Sequence, residues 1–385
     1  MAYVKTGIEI LLDRRSGPVF DGKTGLITNR SAVTSDLTPS FDALLEAGVN
    51  ITSLFAPEHG ITGQAADGEH IASFVDEKTG IPVYSLYGTS KKPAPKMLAG
   101  VDVLLFDIQD VGARFYTFLY TMAYAMEASA GAGKPFIVLD RPNPIGGMSI
   151  EGPVLDPEFS SFVGLYPVPV RYGMTIGEFA GMINKEFGIG AELTVVPLSG
   201  WKREMWFNET GLPWVPPSPA MPSLEAAEVY PGACLLEGTN VSEGRGTAMP
   251  FQTTGAPWID GSKLADELNQ ANLPGIHFNP ANFTPLSSKY TGQECSGVFW
   301  QVTDRDKFLP VMTGVKVIEA IRRLQPKEFE FRKTGADGRC FFDLLAGTDR
   351  LRLDIESGRS AEEIAAGWED GIREFCAVRR RCLLY

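Results

Sequence analysis

Through the first half of the chain, short β-branched or apolar runs end in polar residues and give way to segments with helical periodicity. This alternation predicts an α/β fold built on a doubly wound, mostly parallel, Rossmann-like sheet. The expected strands are residues 25–28, 50–55, 83–86, 101–107 and 136–139, with helices between most of them and a further strand near 193–196. Two of the helices carry clear start signals. Thr38 is placed to cap one, with Pro39 in its first turn and Gly48 as its stop, and Thr175-Ile-Gly-Glu178 reads as a capping box for another.

From about Ser199 the texture changes to Trp, Pro and Gly in long irregular stretches, which places a domain boundary there and divides the chain into 1–198 and 199–385. Amphipathic helices are expected over 308–324 and 361–379. The second opens on the capping box Ser360-x-x-Glu363 and closes on Arg379, Arg380 and Arg381, cations suited to the negative end of a helix dipole. Internal repeats and low-complexity tracts are absent from the sequence.

With 385 residues, 44% hydrophobic and 21% charged, the chain can bury a large core and is long enough for two domains. A formal net charge of -12 argues against nucleic acid or an anionic membrane as partner, while leaving room for local arginines that grip a small acidic ligand. The start shows no basic and apolar export signal, and no apolar run is long enough to span a bilayer. As written the chain reads as cytoplasmic, or as periplasmic or secreted if such a signal has been removed. Five scattered cysteines form no disulfide framework. Of the three histidines, His59 and His70 lack the helical spacing of a zinc pair, so neither metal nor cofactor is expected.

Candidate chemistry gathers at the carboxyl ends of the predicted strands, where open α/β sheets bind ligands. There stand Asn29 and Arg30, then Glu58 and His59, Tyr87, then Asp107, Gln109 and Asp110, and finally Asp140, Arg141 and Asn143. In Pro57-Glu58-His59-Gly60 the flanking Pro and Gly hold an acid beside an imidazole in a tight turn, which suits acid/base work. Arg114 and Tyr116 follow Asp110 around Gly112. This stretch reads either as a grip on an anionic group or as a surface turn with Thr117 capping the next helix. Asp140-Arg-Pro-Asn-Pro144 reads as a stiff loop presenting its side chains, or as a surface Asp-Arg pair. The Gly-rich run 237–247, with Asn240, Glu243 and Arg245, could approach a ligand closely or simply connect. Trp201, Trp206, Trp214 and Trp258 offer faces for a sugar ring or serve as buried anchors.

Three common signatures fail. No Gly-x-Gly-x-x-Gly follows the first strand, Gly131-Ala-Gly-Lys134 precedes a strand rather than opening a helix, and no Gly-x-Ser-x-Gly elbow occurs.

Several motifs occur together and in order: Phe55-Ala-Pro-Glu-His-Gly60, Asp107 through Thr117, Leu139-Asp-Arg-Pro-Asn-Pro144, Glu151-Gly-Pro153, Pro169-Val-Arg171-Tyr-Gly-Met-Thr175, Pro216-Pro-Ser-Pro219, and Tyr230-Pro-Gly232 through Arg245-Gly-Thr247. In this the chain resembles the bacterial exo-β-N-acetylmuramidase family from near Gly7 to Tyr385. The resemblance implies a Rossmann-like domain, a smaller α+β auxiliary domain and an active cleft between them. It also implies release of the non-reducing terminal N-acetylmuramic acid from peptidoglycan fragments or muropeptides, with Glu58 as the catalytic glutamate.

Glycoside hydrolysis takes two carboxyl groups, or one acid assisted by the substrate's 2-acetamido group. The expected roles are Glu58 as general acid beside Phe55, oriented by His59, with Asp110 or Glu243 as its partner. Arg114, Arg141 or Arg245 would clamp the lactyl carboxylate. Asn29, Asp107, Tyr116, Asp140, Asn143, Glu151, Arg171 and Asn240 complete the expected substrate-binding set. A carboxyl pair about 5 to 5.5 Å apart would mark a retaining enzyme and one about 6.5 to 9.5 Å apart an inverting one. The alternatives are a non-catalytic muropeptide-binding module and a metal-assisted hydrolase using the aspartates.

Overall fold

The computed structural model describes residues 4–13, 22–63, 65, 68–69, 72–88, 90–333 and 338–385; His70 lies outside the described residues. Its main sheet contains β1 (Thr24–Thr28), β2 (Ile51–Ala56), β3 (Phe74–Val75), β4 (Pro82–Ser85), β5 (Val103–Asp107), β6 (Phe136–Leu139) and β7 (Leu193–Val196). The spatial order is β3-β4-β2-β1-β5-β6-β7. All neighbours run parallel except β3, an antiparallel edge strand on β4. Leaving out β3, the parallel strands follow the doubly wound order in which the chain works outward from β1 in one direction and then in the other.

Alternation along the central strands divides their side chains between two cores. Leu26, Leu54, Val103, Leu105, Ile137 and Leu139 pack on one face with Ile8, Leu11 and Leu44. Ile27, Phe55, Leu104, Phe106, Phe136 and Val138 pack on the other. Because both faces are covered, β1, β5 and β6 are buried at every position, and β5 and β6 read in sequence as nearly continuous apolar runs.

The second core continues into the C-terminal half, where it takes in Tyr230, Leu235, Trp300 and Val311. A smaller antiparallel sheet lies there, with β8 (Thr253–Ala256), β9 (Ile276–Phe283) and β10 (Cys295–Val302) in the order β8-β10-β9. The helix Leu224–Ala233 crosses the helix Pro310–Leu324 closely enough that a Cβ on Gly232 would lie 1.8 Å from the Pro310 carbonyl oxygen. That contact fixes the end of the first helix, from which the 3-10 turn Cys234–Gly238 departs.

Element ends differ from expectation in a few places. Pro39, not Thr38, is the N-cap residue of the helix Ser40–Glu46, whereas Thr175 caps Ile176–Glu186 with a full capping box. The expected helix over 361–379 is two helices, Ala361–Ala366 and Glu369–Arg379, separated at Gly367-Trp368. Of its terminal arginines, Arg379 is buried and donates to the Gly173 carbonyl at 2.7 Å, and Arg381 pairs with Glu186 at 2.6 Å. Both dock the C-terminal helix onto the first half. The five cysteines are free thiols. Among the described residues no helix is long and apolar enough to cross a membrane.

Candidate active site

The turn after β2 is tighter than its Pro and Gly alone require. Gly60 N–H donates to the Pro57 carbonyl at 3.0 Å, and His59 adopts φ of 69°, a left-handed conformation usual for Gly or Asn. Holding a histidine there costs on the order of 1 to 3 kcal/mol, and such strain tends to gather at functional sites. His59 Nδ1 sits 2.9 Å from the Ala65 carbonyl oxygen, which fixes the ring. Glu58, 9% exposed, is held at both oxygens. The Gly68 N–H donates to Oε1 at 3.2 Å and the Thr117 hydroxyl lies 2.8 Å from Oε2. A hydroxyl can donate to a carboxylate or accept from a carboxyl, so the Thr117 contact survives a change in the protonation of Glu58.

Glu58 and His59 line a cavity of about 380 Å³. This is small for a ligand site and suits a single sugar residue better than a length of polymer. Tyr116 and Thr117 line it from the loop after β5, and Tyr87 and Lys91 from the segment after β4. The second half of the chain contributes Tyr230, Cys234, Glu237 and Arg245. Burial pushes the Cys234 thiol and the Tyr230 phenol well above their ordinary pKa values, so both are neutral walls. Arg245 donates to Glu237 Oε1 from Nε at 3.1 Å and Nη2 at 2.7 Å, and its guanidinium stacks 4.9 Å from the Phe251 ring centroid. Two donors of one guanidinium thus converge on a single carboxylate oxygen in the wall. Among the described residues no cluster of three or more His, Cys, Asp or Glu is arranged to hold a metal ion.

The sequence model for the N-terminal region of exo-beta-N-acetylmuramidase NamZ matches residues 24–225, and that for its C-terminal region matches residues 228–385. The chain belongs to the exo-β-N-acetylmuramidase NamZ family. It is 53% identical to the peptidoglycan beta-N-acetylmuramidase NamZ of Bacillus subtilis (strain 168), over 99% of this chain and 91% of that protein. Two solved DUF1343 family proteins from Bacteroides fragilis NCTC 9343 share the fold. One aligns with a TM-score of 0.91 at 37% identity over 100% of both chains. The other aligns with a TM-score of 0.78 at 32% identity over 100% of this chain and 99% of that one.

In this NamZ family member, the cavity takes in Glu58, His59, Tyr87, Tyr116 and Arg245 from the residues expected by sequence. The other expected residues do not line it, and each is engaged elsewhere. Arg141 donates to Asp107 from Nε at 2.5 Å and Nη2 at 2.9 Å, and to the Val33 carbonyl at 3.0 Å, in a pair closed off from solvent. Fully buried Arg114 is bonded at 2.8 Å to each of the Pro153, Val168 and Leu345 carbonyls, and burial lowers its pKa to about 10. A substrate-clamping role therefore does not fit Arg114 or Arg141, because both are buried outside the cavity lining and bonded to partners inside the protein.

Neither candidate partner for Glu58 lines the cavity. Asp110 lies in the core, bonded by Tyr172 and by the Gly112 N–H at 2.8 Å, and desolvation pushes its pKa up to about 6. Glu243 is 2% exposed and pairs with Lys289 at 2.8 Å. Asn29 is bonded to Ser31 and to the Pro217 carbonyl, and Asn143 to the Met174 carbonyl. Asp140 accepts from the Gly177 N–H, from Thr175 and from Tyr385, so it anchors a helix start and the C-terminus. Glu151 accepts from the Met312 N–H at 2.7 Å, Arg171 donates to the Ile145 carbonyl at 2.6 Å, and Asn240 is bonded to the Glu328 and Glu330 backbone. Asn29, Asp107, Asp140 and Arg141 thus brace the ends of β1, β5 and β6, whereas Glu58 and His59 reach the cavity from the end of β2 and Tyr87 from beyond β4. Trp201, Trp206, Trp214 and Trp258 also lie outside the cavity lining.

Thr117 and Glu237 were not among the expected site residues. The sequence marks Thr117 as a helix cap and Glu237 only as the start of a Gly-rich loop. Thr117 does occupy the N-cap position of the helix Phe118–Gly131, but its side chain makes no capping hydrogen bond and serves Glu58 instead.

Proposed function

We propose that the protein is an exo-acting glycoside hydrolase that releases non-reducing terminal β-linked N-acetylmuramic acid from peptidoglycan fragments. The observation that carries the reading is Glu58: an acid held at both oxygens, in the wall of a cavity sized for one sugar, in a chain of the NamZ family. Its proton passes to the glycosidic oxygen as the bond from that oxygen to the anomeric carbon breaks. Water then adds at the anomeric carbon and its proton restores the acid. Glu237, paired with Arg245, supplies the second carboxylate and stabilises the positive charge that develops on the sugar ring. His59 acts as a positioning residue for the turn.

The test is a chromogenic β-N-acetylmuraminide assayed beside the β-N-acetylglucosaminide, with and without chelator. The proposal expects turnover of the muraminide, little of the glucosaminide and no loss on chelation. Binding without turnover would indicate a muropeptide-binding module, and loss on chelation a metal-assisted hydrolase.

A further inference from the structure

Among the described residues, Lys91 and Arg245 are the lysine and arginine that line the cavity, and their charges are used differently. Arg245 is compensated by Glu237 at 2.7 Å and by Glu243 at 3.6 Å. The neighbouring Lys92, outside the cavity, is tied to Glu127 at 2.9 Å. Lys91 pairs with no carboxylate among the described residues; its ammonium sits 4.2 Å from the centroid of Phe162. That ring belongs to an aromatic group, with Tyr87 at 6.0 Å and a stacked Tyr124 at 6.1 Å between centroids. An aromatic face holds an ammonium by attraction to its π-cloud but satisfies none of its three N–H donors. In a protein of net charge -12, a cavity-wall cation that no carboxylate among the described residues compensates is a ready site for an anionic substituent.

We propose that Lys91 determines specificity for the sugar by binding the carboxylate of its lactyl ether, the group that separates N-acetylmuramic acid from N-acetylglucosamine. The assignment rests on the muramidase reading of the same cavity. It does not require Lys91 to take part in bond cleavage, because the lactyl ether lies away from the anomeric carbon. Arg245, held by two carboxylates, is left to orient Glu237.

The experiment is calorimetric binding of N-acetylmuramic acid, its methyl ester and N-acetylglucosamine to the wild type, Lys91→Met and Lys91→Arg, with circular dichroism confirming that each variant is folded. Removing a charged hydrogen bond weakens binding about 10- to 100-fold. We expect that loss for the free acid with Lys91→Met, partial recovery with Lys91→Arg, and equal affinities of wild type and Lys91→Met for the ester and for N-acetylglucosamine. Wild-type affinity for the acid should also fall with added salt more than affinity for the ester. Equal weakening of acid and ester by Lys91→Met, or wild-type affinity of that variant for the acid, would overturn the proposal. Binding is read without turnover, so a wild type that binds the acid through Lys91 but cleaves no muraminide sinks the hydrolase reading alone.

Discussion

The Thr117 hydroxyl lies 2.8 Å from Glu58 Oε2, joining the start of a helix to the turn after a strand 59 residues earlier. Without this bond the carboxyl group keeps only the Gly68 N–H as a fixed partner among the contacts described. Thr117→Val should therefore lower kcat about 10-fold, the loss of roughly one positioned hydrogen bond, with KM little changed. Thr117→Ser should restore most of it. An unchanged kcat in the valine variant would show that Glu58 is positioned by other means.

The Asp107–Arg141 pair makes a contrasting prediction. Both side chains are almost wholly removed from solvent, so breaking the pair strands a buried charge. Arg141→Met should reduce the free energy of unfolding by about 3 to 5 kcal/mol, read by chemical denaturation, while KM of the folded fraction stays near wild type. A large rise in KM with unchanged stability would return Arg141 to the substrate.

Glu151 couples stability to pH. Burial pushes its carboxyl from the ordinary 4.5 up to about 7, with the Met312 N–H and Arg171 only partly offsetting the desolvation. The native state thus binds a proton more tightly than the unfolded chain does. The resulting stabilisation is complete below about pH 4.5 and is lost as pH rises through about 7. Glu151→Gln stays neutral and keeps an acceptor for the Met312 N–H. Its stability relative to wild type should rise by on the order of a few kcal/mol between about pH 5 and about pH 8. A pH-independent difference between the two proteins would contradict the buried-acid account.

The middle of the parallel sheet was legible in the sequence because β5 and β6 are buried on both faces and run into polar residues, so each stands out as an apolar run. The small sheet was not. β9 contains Pro280 and exposes much of its length, a pattern a proline tolerates at a sheet edge but one that reads as a loop. Glu58 was legible from its turn. The fate of the other strand-end residues depends on partners remote in sequence: Arg114 bonds a carbonyl 231 positions away, and Asn29 one 188 positions away. Local pattern carries no record of such contacts, so residues that look like a binding edge prove to be its internal bracing. The same limit hid Thr117, whose position is that of a cap and whose bond is not.

The central claim is that Glu58 protonates the leaving oxygen, and Glu58→Gln tests it most directly when assayed on two substrates. With a muramyl disaccharide, whose sugar leaving group needs a proton, kcat should fall about 10²- to 10⁴-fold. With an aryl muraminide carrying a strongly acidic phenol, which leaves without help, the fall should be much smaller. Undiminished cleavage of the disaccharide, or equal losses on both substrates, would contradict the account.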